Sequence, residues 1–375
     1  MTQFPEIIAE AGSNHNGDPA RACQLIDLAA QAGASSIKFQ FIYADGLYLP
    51  DYPEHGSDGS VVYSPSTVFA QRTREEMSDT DWQTIWDHAA RVRITVSASV
   101  FCERGIALLK RLGAPYVKIA STDLTNHALI ARACESFPRV IVSTGMATMG
   151  EIEAMVAMVK RDHPGTDFSL MHCVSAYPCD LAQANTGRVA LLARAFEVPV
   201  GYSDHTGEDI SAAMALVQGA SFFEKHFTTD RSLPGFDHAH ALDGPALQSY
   251  VLHLRAAAQS LAQPAAGLAK QELVTKVRAR RGLYAARDLP AGHVLTADDL
   301  LFVRPSTAFQ ATDPAQLVGQ RLTQDVPRHA ALGPGAGVGI IASNWGSAGS
   351  YWGQEMQEKG MTPAPANAGT AEPQG

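Results

Sequence analysis

The chain has 375 residues, 46% of them apolar, and a formal net charge of −9. It is long for one ordinary domain and has ample material for a core, and an acidic balance with no basic run excludes nucleic acid as the expected partner. No apolar run approaches the roughly 20 residues of a membrane span, and Met1 leads straight into Phe4-Pro5-Glu6 with no basic-then-apolar leader, so a soluble cytoplasmic protein is expected.

The predicted elements alternate. Glu6–Glu10 reads as a short strand opening into the polar loop Gly12-Ser13-Asn14-His15-Asn16-Gly17. Asp18-Pro19 caps a helix with Leu25, Ile26 and Ala29 on its buried face, and Gly33 stops it. Ser36–Gln40 is the second strand, with Lys38 near its end. Tyr43–Met77, rich in Tyr, Pro, Gly and Ser, reads as a long loop of the lid or binding kind. A helix from Thr80, carrying Trp82, Ile85 and Ala89, leads to strand Arg93–Ser99. Helix Gly105–Leu112, strand Tyr116–Ser121, helix His127–Cys134 and strand Arg139–Ser143 follow. Thr148 with Glu151 forms a capping box for a helix to about Lys160. Next come strand Phe168–Cys173, a helix after Arg188, and strand Pro199–Ser203. A helix with Ile210, Ala213, Met214 and Val217 at helical spacing precedes strand Ser221–His226, and a last helix ends near Leu261.

Eight strands, each followed by a helix, predict a (β/α)8 TIM barrel over residues 1–263, with its chemistry at the C-terminal rim. A doubly wound open sheet is the structural alternative. Residues 264–277, beginning Pro264-Ala265-Ala266-Gly267, read as a linker, and 278–330 as a small, mostly β domain. Residues 331–375, rich in Gly, Ala, Pro and Ser, read as a disordered tail. Gly333-Pro334-Gly335-Ala336-Gly337 misses the dinucleotide-loop spacing. The five cysteines are odd in number and scattered, as expected of reduced thiols.

On the barrel reading the strand ends gather Glu10, Lys38, Gln40, Lys118, Ser121, Asp123, Ser143, Tyr177, Ser203, His205 and His226 around one mouth. Two lysines buried there need anionic partners, since an unpaired buried ammonium costs several kcal/mol. A phosphate or carboxylate ligand with nearby serines would supply them, and so would neighbouring carboxylates. Glu10 is a candidate general acid or base. His205 and His226 emerge on adjacent strands and could share a divalent cation or merely hydrogen-bond beneath a loop.

Several stretches in register narrow the choice. They are Ile8-Ala9-Glu10-Ala11-Gly12-Ser13-Asn14-His15-Asn16-Gly17-Asp18, Lys38-Phe39-Gln40, Lys118-Ile119-Ala120-Ser121 and Ser143-Thr144-Gly145-Met146. They continue with His172-Cys173 to Tyr177-Pro178, Gly201–Thr206, Glu224–Arg231 and Pro234-Gly235-Phe236-Asp237. In these the chain resembles the sialic acid synthase family, and residues Arg281 to Arg304-Pro305 resemble its antifreeze-protein-like (SAF) domain. The resemblance implies condensation of phosphoenolpyruvate with an N-acylated hexose such as N-acetylmannosamine. It implies a divalent metal, Mn²⁺ or Mg²⁺, on His205 and His226. It assigns Lys38, Lys118, Ser121, Ser143 and Ser203 to phosphoenolpyruvate, and Glu10 to the reacting carbons. Gln40, Asp123, Tyr177, Asp237 and Arg304 would face the sugar, and a homodimer would exchange its C-terminal domains. Rival readings are the same chemistry on a 2,4-diacetamido sugar or in spore-coat polysaccharide synthesis, and a non-catalytic sugar-binding module. The chain departs from the pattern after Pro327, where Pro327-Arg328-His329 offers no glycine for the turn before the last strand.

Overall fold

The protein is described by a computed structural model that covers residues 4–55, 60–261, 267–309, 312 and 314–333. In chain order the elements are β1 (Glu6–Gly12), α1 (Pro19–Ala32), β2 (Ser36–Phe41), β3 (Asp51–His55), β4 (Val61–Pro65), α2 (Thr67–Glu75), α3 (Asp79–Val92) and β5 (Thr95–Val100). Then come α4 (Glu103–Arg111), β6 (Val117–Ile119), α5 (His127–Ser136), β7 (Arg139–Ser143), α6 (Met149–Asp162), β8 (Asp167–His172), α7 (Gly187–Phe196) and β9 (Val200–Asp204). The chain continues through α8 (Ile210–Val217), β10 (Phe222–His226), α9 (Gly244–Leu261), α10 (Lys270–Ala279), β11 (Gly282–Ala285), β12 (Leu300–Val303) and α11 (Pro314–Leu317).

Eight strands close a parallel barrel in the order β1-β10-β9-β8-β7-β6-β5-β2, as the eightfold alternation predicted. Period-2 alternation sends one set of side chains inward. Ile8, Tyr116, Ile141, Met171 and Phe222 form a buried apolar plug inside the strands. The plug depends on Gly201. A Cβ there would lie 2.3 Å from the Phe222 ring, so only glycine on β9 leaves Phe222 its place. Above the plug the inward residues turn polar. The outer helices seal the opposite strand faces through Leu25, Ile26, Trp82, Ile106, Ile130, Val156 and Leu254. The expected caps form at Asp18, which accepts from Ala20 and Arg21 N–H, and in the Thr148–Glu151 capping box.

Three readings are corrected. Residues Tyr43–Met77 are not a bare loop. They hold the antiparallel hairpin β3–β4, paired from Asp51↔Pro65 to His55↔Val61, and α2, capped by Ser66. On α8 the stripe Ile210, Met214 and Val217 is 51%, 49% and 60% exposed, and Ser211, Ala212 and Ala215 face inward instead. Ser211 Oγ donates to Asp204 Oδ1 at 3.0 Å, which fixes the helix rotation, and the two alanines permit close approach. The linker assigned to 264–277 contains most of α10. No residue of α10 is buried, so no apolar periodicity announced it. Pro264–Ala266 lie outside the described residues.

The chain divides into two compact units, Met1–Gln263 and Pro264–Gly375. The second has its own core of Leu283, Ala285, Leu289, Leu295, Leu300, Phe309, Leu317, Leu322, Val326 and Leu332, with β11 antiparallel to β12. Buried Asp299 organises it by accepting from Arg287 Nη2 (2.7 Å), His293 Nε2 (2.8 Å) and the Thr296 N–H (2.8 Å). The turn after Pro327 forms without glycine, because His329 itself takes a left-handed φ of 69°. Ala331 then bridges Tyr284, and Leu332 N–H donates to Leu283. This domain therefore extends past 330, and the tail assigned to 331–375 begins no earlier than 334, with 334–375 outside the described residues. Among the described residues no helix is long and apolar enough to cross a membrane.

Candidate active site

Strand register assembles the site. Pairing Glu10↔Lys38 toward β2 and Glu10↔His226 toward β10 sets three functional side chains side by side, and Ser99↔Lys118 continues the ring. On β10, Glu224 and His226 are two apart and share the inner face. Lys225 between them is turned outward, where it pairs with Asp204 Oδ2 at 3.1 Å and donates to Thr206 O.

The floor is a buried quartet of two lysines and two carboxylates. Lys38 Nζ lies 2.6 Å from Glu10 Oε2 and 3.5 Å from Glu224 Oε2, and donates to Ser99 Oγ at 2.8 Å. Lys118 Nζ donates to Glu224 at 3.1 and 3.3 Å. Ser203 Oγ donates to Glu224 Oε1 at 2.9 Å, and Gln40 Nε2 to Glu10 Oε1 at 3.0 Å. The two carboxylates respond oppositely to this environment. Burial pushes Glu10 up to about 7, and Lys38 offsets that only in part. Burial works on Glu224 too, but Lys118 and Lys38 together outweigh it and hold the group below the ordinary carboxylate range. Burial opposes the charge on Lys38, yet Glu10 and Glu224 raise its affinity for the proton above normal.

A cavity of about 720 Å³ opens over this floor, within the range of small-molecule sites. Eleven of the thirteen residues singled out above line it: Glu10, Lys38, Gln40, Lys118, Ser121, Ser143, Tyr177, Ser203, His205, His226 and Asp237. Gly145 lets the backbone close in beside two of its serines. Its N–H donates to Ser121 Oγ at 3.0 Å, and a Cβ there would lie 2.4 Å from Ser175 Oγ and 2.7 Å from Ser121 Oγ. Tyr177 stacks on His205 with ring centroids 4.2 Å apart.

Two residues fall elsewhere. Asp123 does not line the cavity. Its carboxylate accepts from Thr122 Oγ1 (2.9 Å) and Asn126 Nδ2 (3.2 Å) in the turn before α5. Arg304 is exposed on the second unit, just after β12.

The histidines are neutral imidazoles. Burial, then each other's proximity, lowers His205 to about 3, and burial lowers His226 to about 4. Their ring centroids are 5.5 Å apart. His205 Nδ1 is 2.6 Å from Val174 O, and its Nε2 is 3.1 Å from Ser203 Oγ. His226 Nδ1 is buried with no hydrogen-bond partner among the described residues.

Several lining groups carried no assignment from sequence. Glu224 lies inside a quoted motif but is tied to partners 106 and 186 residues away in sequence, and only its i, i+2 relation to His226 could have flagged it. Arg72 of α2 is buried in the cavity wall, bonded to Glu75 Oε2 at 3.0 Å and stacked 4.1 Å over Phe236. Tyr48 and Tyr52 join it from the same inserted segment.

The chain also matches known proteins. The NeuB family pattern matches residues 25–265, and the SAF domain pattern matches 280–335. The chain is 33% identical over 330 residues to the N,N′-diacetyllegionaminic acid synthase of Legionella pneumophila, covering 87% of this chain and 92% of that one. It is 29% identical to the N-acetylneuraminate-9-phosphate synthase of Mus musculus, over 78% of this chain and 81% of that one. Among solved structures it resembles the N-acetylneuraminic acid synthetase of Leptospira borgpetersenii, with 30% identity and a TM-score of 0.64 over 72% of this chain and 90% of that one.

Proposed function

The chain belongs to the NeuB family, and from that premise we propose that it condenses phosphoenolpyruvate with an N-acylated hexose, yielding a nine-carbon 2-keto acid and free phosphate. The observation that carries the reading is the buried quartet Glu10–Lys38–Glu224–Lys118 on the cavity floor. Lys38 and Lys118 would take the phosphate and carboxylate of phosphoenolpyruvate, with the hydroxyls of Ser121, Ser143 and Ser203 donating beside them. Gln40, Tyr177 and Asp237, which also line the cavity, would face the sugar. Asp123, bonded within its own turn, drops out of that set.

In the reaction C3 of phosphoenolpyruvate attacks the aldehyde carbon of the open-chain sugar, and the aldehyde oxygen gains a proton. Water adds at C2 and loses one proton, and the resulting hydroxyl gives up its second proton to form the 2-keto group as the C2–O bond to phosphate breaks and phosphate leaves. Glu10 would stand beside the reacting carbons, and its carboxyl, pushed up to about 7 by burial, suits a group that takes and gives a proton at neutral pH. A divalent cation, Mn²⁺ or Mg²⁺, fits the donors at His205 and His226, since both rings are neutral and His226 Nδ1 holds an unused lone pair. When bound, such an ion polarises the aldehyde oxygen.

The identity is higher to the legionaminate synthase than to the mouse enzyme, which favours a 2,4-diacetamido sugar as the second reading. Phosphate release with phosphoenolpyruvate, Mn²⁺ and a panel of N-acetylmannosamine and 2,4-diacetamido hexoses tests both. No release above the sugar-free blank with any of them refutes the proposal. The C-terminal domain, through Arg304, would serve the barrel of a second copy in a homodimer. Mixed dimers refolded from Lys118→Ala and Arg304→Ala chains should then regain part of the activity, and dead mixed dimers refute the exchange.

A further inference from the structure

One cation of the cavity wall is not spent on the floor. Lys38 and Lys118 pair with Glu10 and Glu224, whereas Arg72 of α2 lines the same cavity from the inserted segment. Arg72 is only 7% exposed. A guanidinium offers five N–H donors in a planar fork. Among the described residues Arg72 uses one of them, Nη1 toward Glu75 Oε2 at 3.0 Å, and its Nε is buried with no partner. The side chain is nonetheless held in place. Gln71 Nε2 donates to Glu75 Oε1 at 2.7 Å and fixes that carboxylate, and the guanidinium lies 4.1 Å over the Phe236 ring. Stacking occupies a face of the guanidinium plane and leaves its N–H edges for hydrogen bonds.

The smaller space beside Arg72 does not absorb these donors. Arg72 also borders a cavity of about 10 Å³ with His15 and Tyr43, room for one water. His15 Nδ1 accepts from the Gly17 N–H at 3.0 Å, so its Nε2 carries the ring proton and needs an acceptor too. That Nε2 and the Tyr43 hydroxyl are buried without partners among the described residues. One water accepts about two hydrogen bonds, so it cannot also serve the whole fork of Arg72. The large cavity is left to supply acceptors, since a buried donor without one loses its hydration for nothing. Glu75 balances the charge of Arg72, which favours a neutral oxygen over a second phosphate. Ile42, Leu47, Tyr48 and Tyr52 line the cavity from the end of β2 and the start of the same insert. An acetamido group suits both kinds of surface, its oxygen meeting the guanidinium and its methyl the apolar wall.

We propose that Arg72 binds the sugar, donating from its guanidinium to the carbonyl oxygen of an acetamido group, and so selects acylated hexoses over their hydroxyl counterparts. The proposal rests on the condensation read above and deepens it, because it assigns a specificity residue that lies outside the eight-strand repeat.

The test is phosphate release by the full-length protein with phosphoenolpyruvate, Mn²⁺ and sugar pairs that differ by one acetamido group in place of a hydroxyl. The pairs are mannose with N-acetylmannosamine, and N-acetylmannosamine with a 2,4-diacetamido hexose. Preference within a pair is the ratio of the two kcat/KM values. Arg72→Met is made together with Glu75→Gln so that no carboxylate is stranded, and Arg72→Lys keeps the charge without the planar fork. Losing a hydrogen bond from a charged donor costs about tenfold or more. The parent should prefer the acetamido member of at least one pair, and the double variant should lower that preference about tenfold or more. Arg72→Lys should fall in between, with KM for phosphoenolpyruvate within about threefold of the parent's in every variant. Phe236→Leu removes the stack but keeps the donors, so it should hold the preference. An unchanged preference in the double variant and in Arg72→Lys overturns the proposal. An equal fall in Phe236→Leu also overturns it, by making Arg72 a support for the loop that carries Asp237. A parent that releases phosphate without preferring acetamido sugars overturns it while sparing the condensation. A parent that releases none with any sugar removes the condensation reading and the proposal together.

Discussion

Replacing Glu224 by Gln isolates the charge balance of the cavity floor. Glu224 is the carboxylate bonded to Lys118, at 3.1 and 3.3 Å, and the second anion near Lys38, at 3.5 Å. The amide keeps the shape of the side chain and removes its charge, which strands a buried ammonium. Breaking a buried ion pair in this way costs about 3–5 kcal/mol. For a barrel of this size each kcal/mol shifts the melting temperature by roughly 2–4 °C, so the ligand-free variant should melt about 6–20 °C below the parent. Phosphoenolpyruvate supplies the anion that Lys118 then lacks, so the variant should bind it at least about tenfold more tightly. Tenfold corresponds to about 1.4 kcal/mol, an extra rise of roughly 3–6 °C at a fixed ligand concentration. Differential scanning calorimetry with and without phosphoenolpyruvate reads both numbers. A variant melting within about 2 °C of the parent, or equal ligand-induced shifts in the two proteins, refutes the account of the floor.

Three further outcomes follow from neighbouring residues. Lys118→Ala should raise KM for phosphoenolpyruvate by roughly 30-fold or more, the equivalent of 2 kcal/mol or above for a lost charge-pair partner, and should move KM for the sugar far less. Equal rises in steady-state kinetics would place Lys118 elsewhere in the reaction. Gly145→Ala forces a Cβ to within 2.4 Å of Ser175 Oγ and 2.7 Å of Ser121 Oγ, so it should lose about 1–3 kcal/mol of stability. It should also weaken phosphoenolpyruvate binding in calorimetric titration, and unchanged binding would show that Ser121 does not touch that ligand. Burial, followed by Arg72 and Arg21, lowers His15 to about 3. The unfolded chain binds that proton near 6.5, so this contribution to stability is complete above about pH 6.5 and falls by up to a few kcal/mol as the pH drops toward 3. In His15→Asn that linkage is gone, so its melting temperature should approach the parent's as the pH is lowered from 7 to 4. A constant gap would show that His15 takes up its proton in the fold as readily as in the unfolded chain.

The barrel was legible because each inward strand end carries a polar or charged residue after an apolar run, as in Lys38-Phe39-Gln40 and Lys118-Ile119-Ala120-Ser121. That change from apolar to polar marks where a strand leaves the core. The same local logic failed where burial is not periodic. Helix α10 buries nothing, and α8 turns Ser211 and two alanines inward in place of its large apolar residues, because a hydrogen bond to Asp204 sets its rotation. Glu224 escaped assignment because its partners Lys118 and Lys38 are distant in sequence. Asp123 was over-read for the opposite reason, since a carboxylate one turn beyond a site strand can be consumed by its own helix cap.

The hairpin β3–β4 and helix α2 are spliced between β2 and α3, outside the eight-strand repeat. With the turn that precedes them they contribute Tyr48, Tyr52 and Arg72 to the cavity wall, whereas Glu10, Lys38, Lys118, Glu224 and His226 come from barrel strands and His205 directly follows β9. Part of the wall and all of the charged floor are thus carried on separate stretches of chain. On the condensation proposed above, a graft exchanging residues 43–77 for the matching segment of a relative should alter sugar preference without touching the floor, so one scaffold could be retuned by rewriting a single insert.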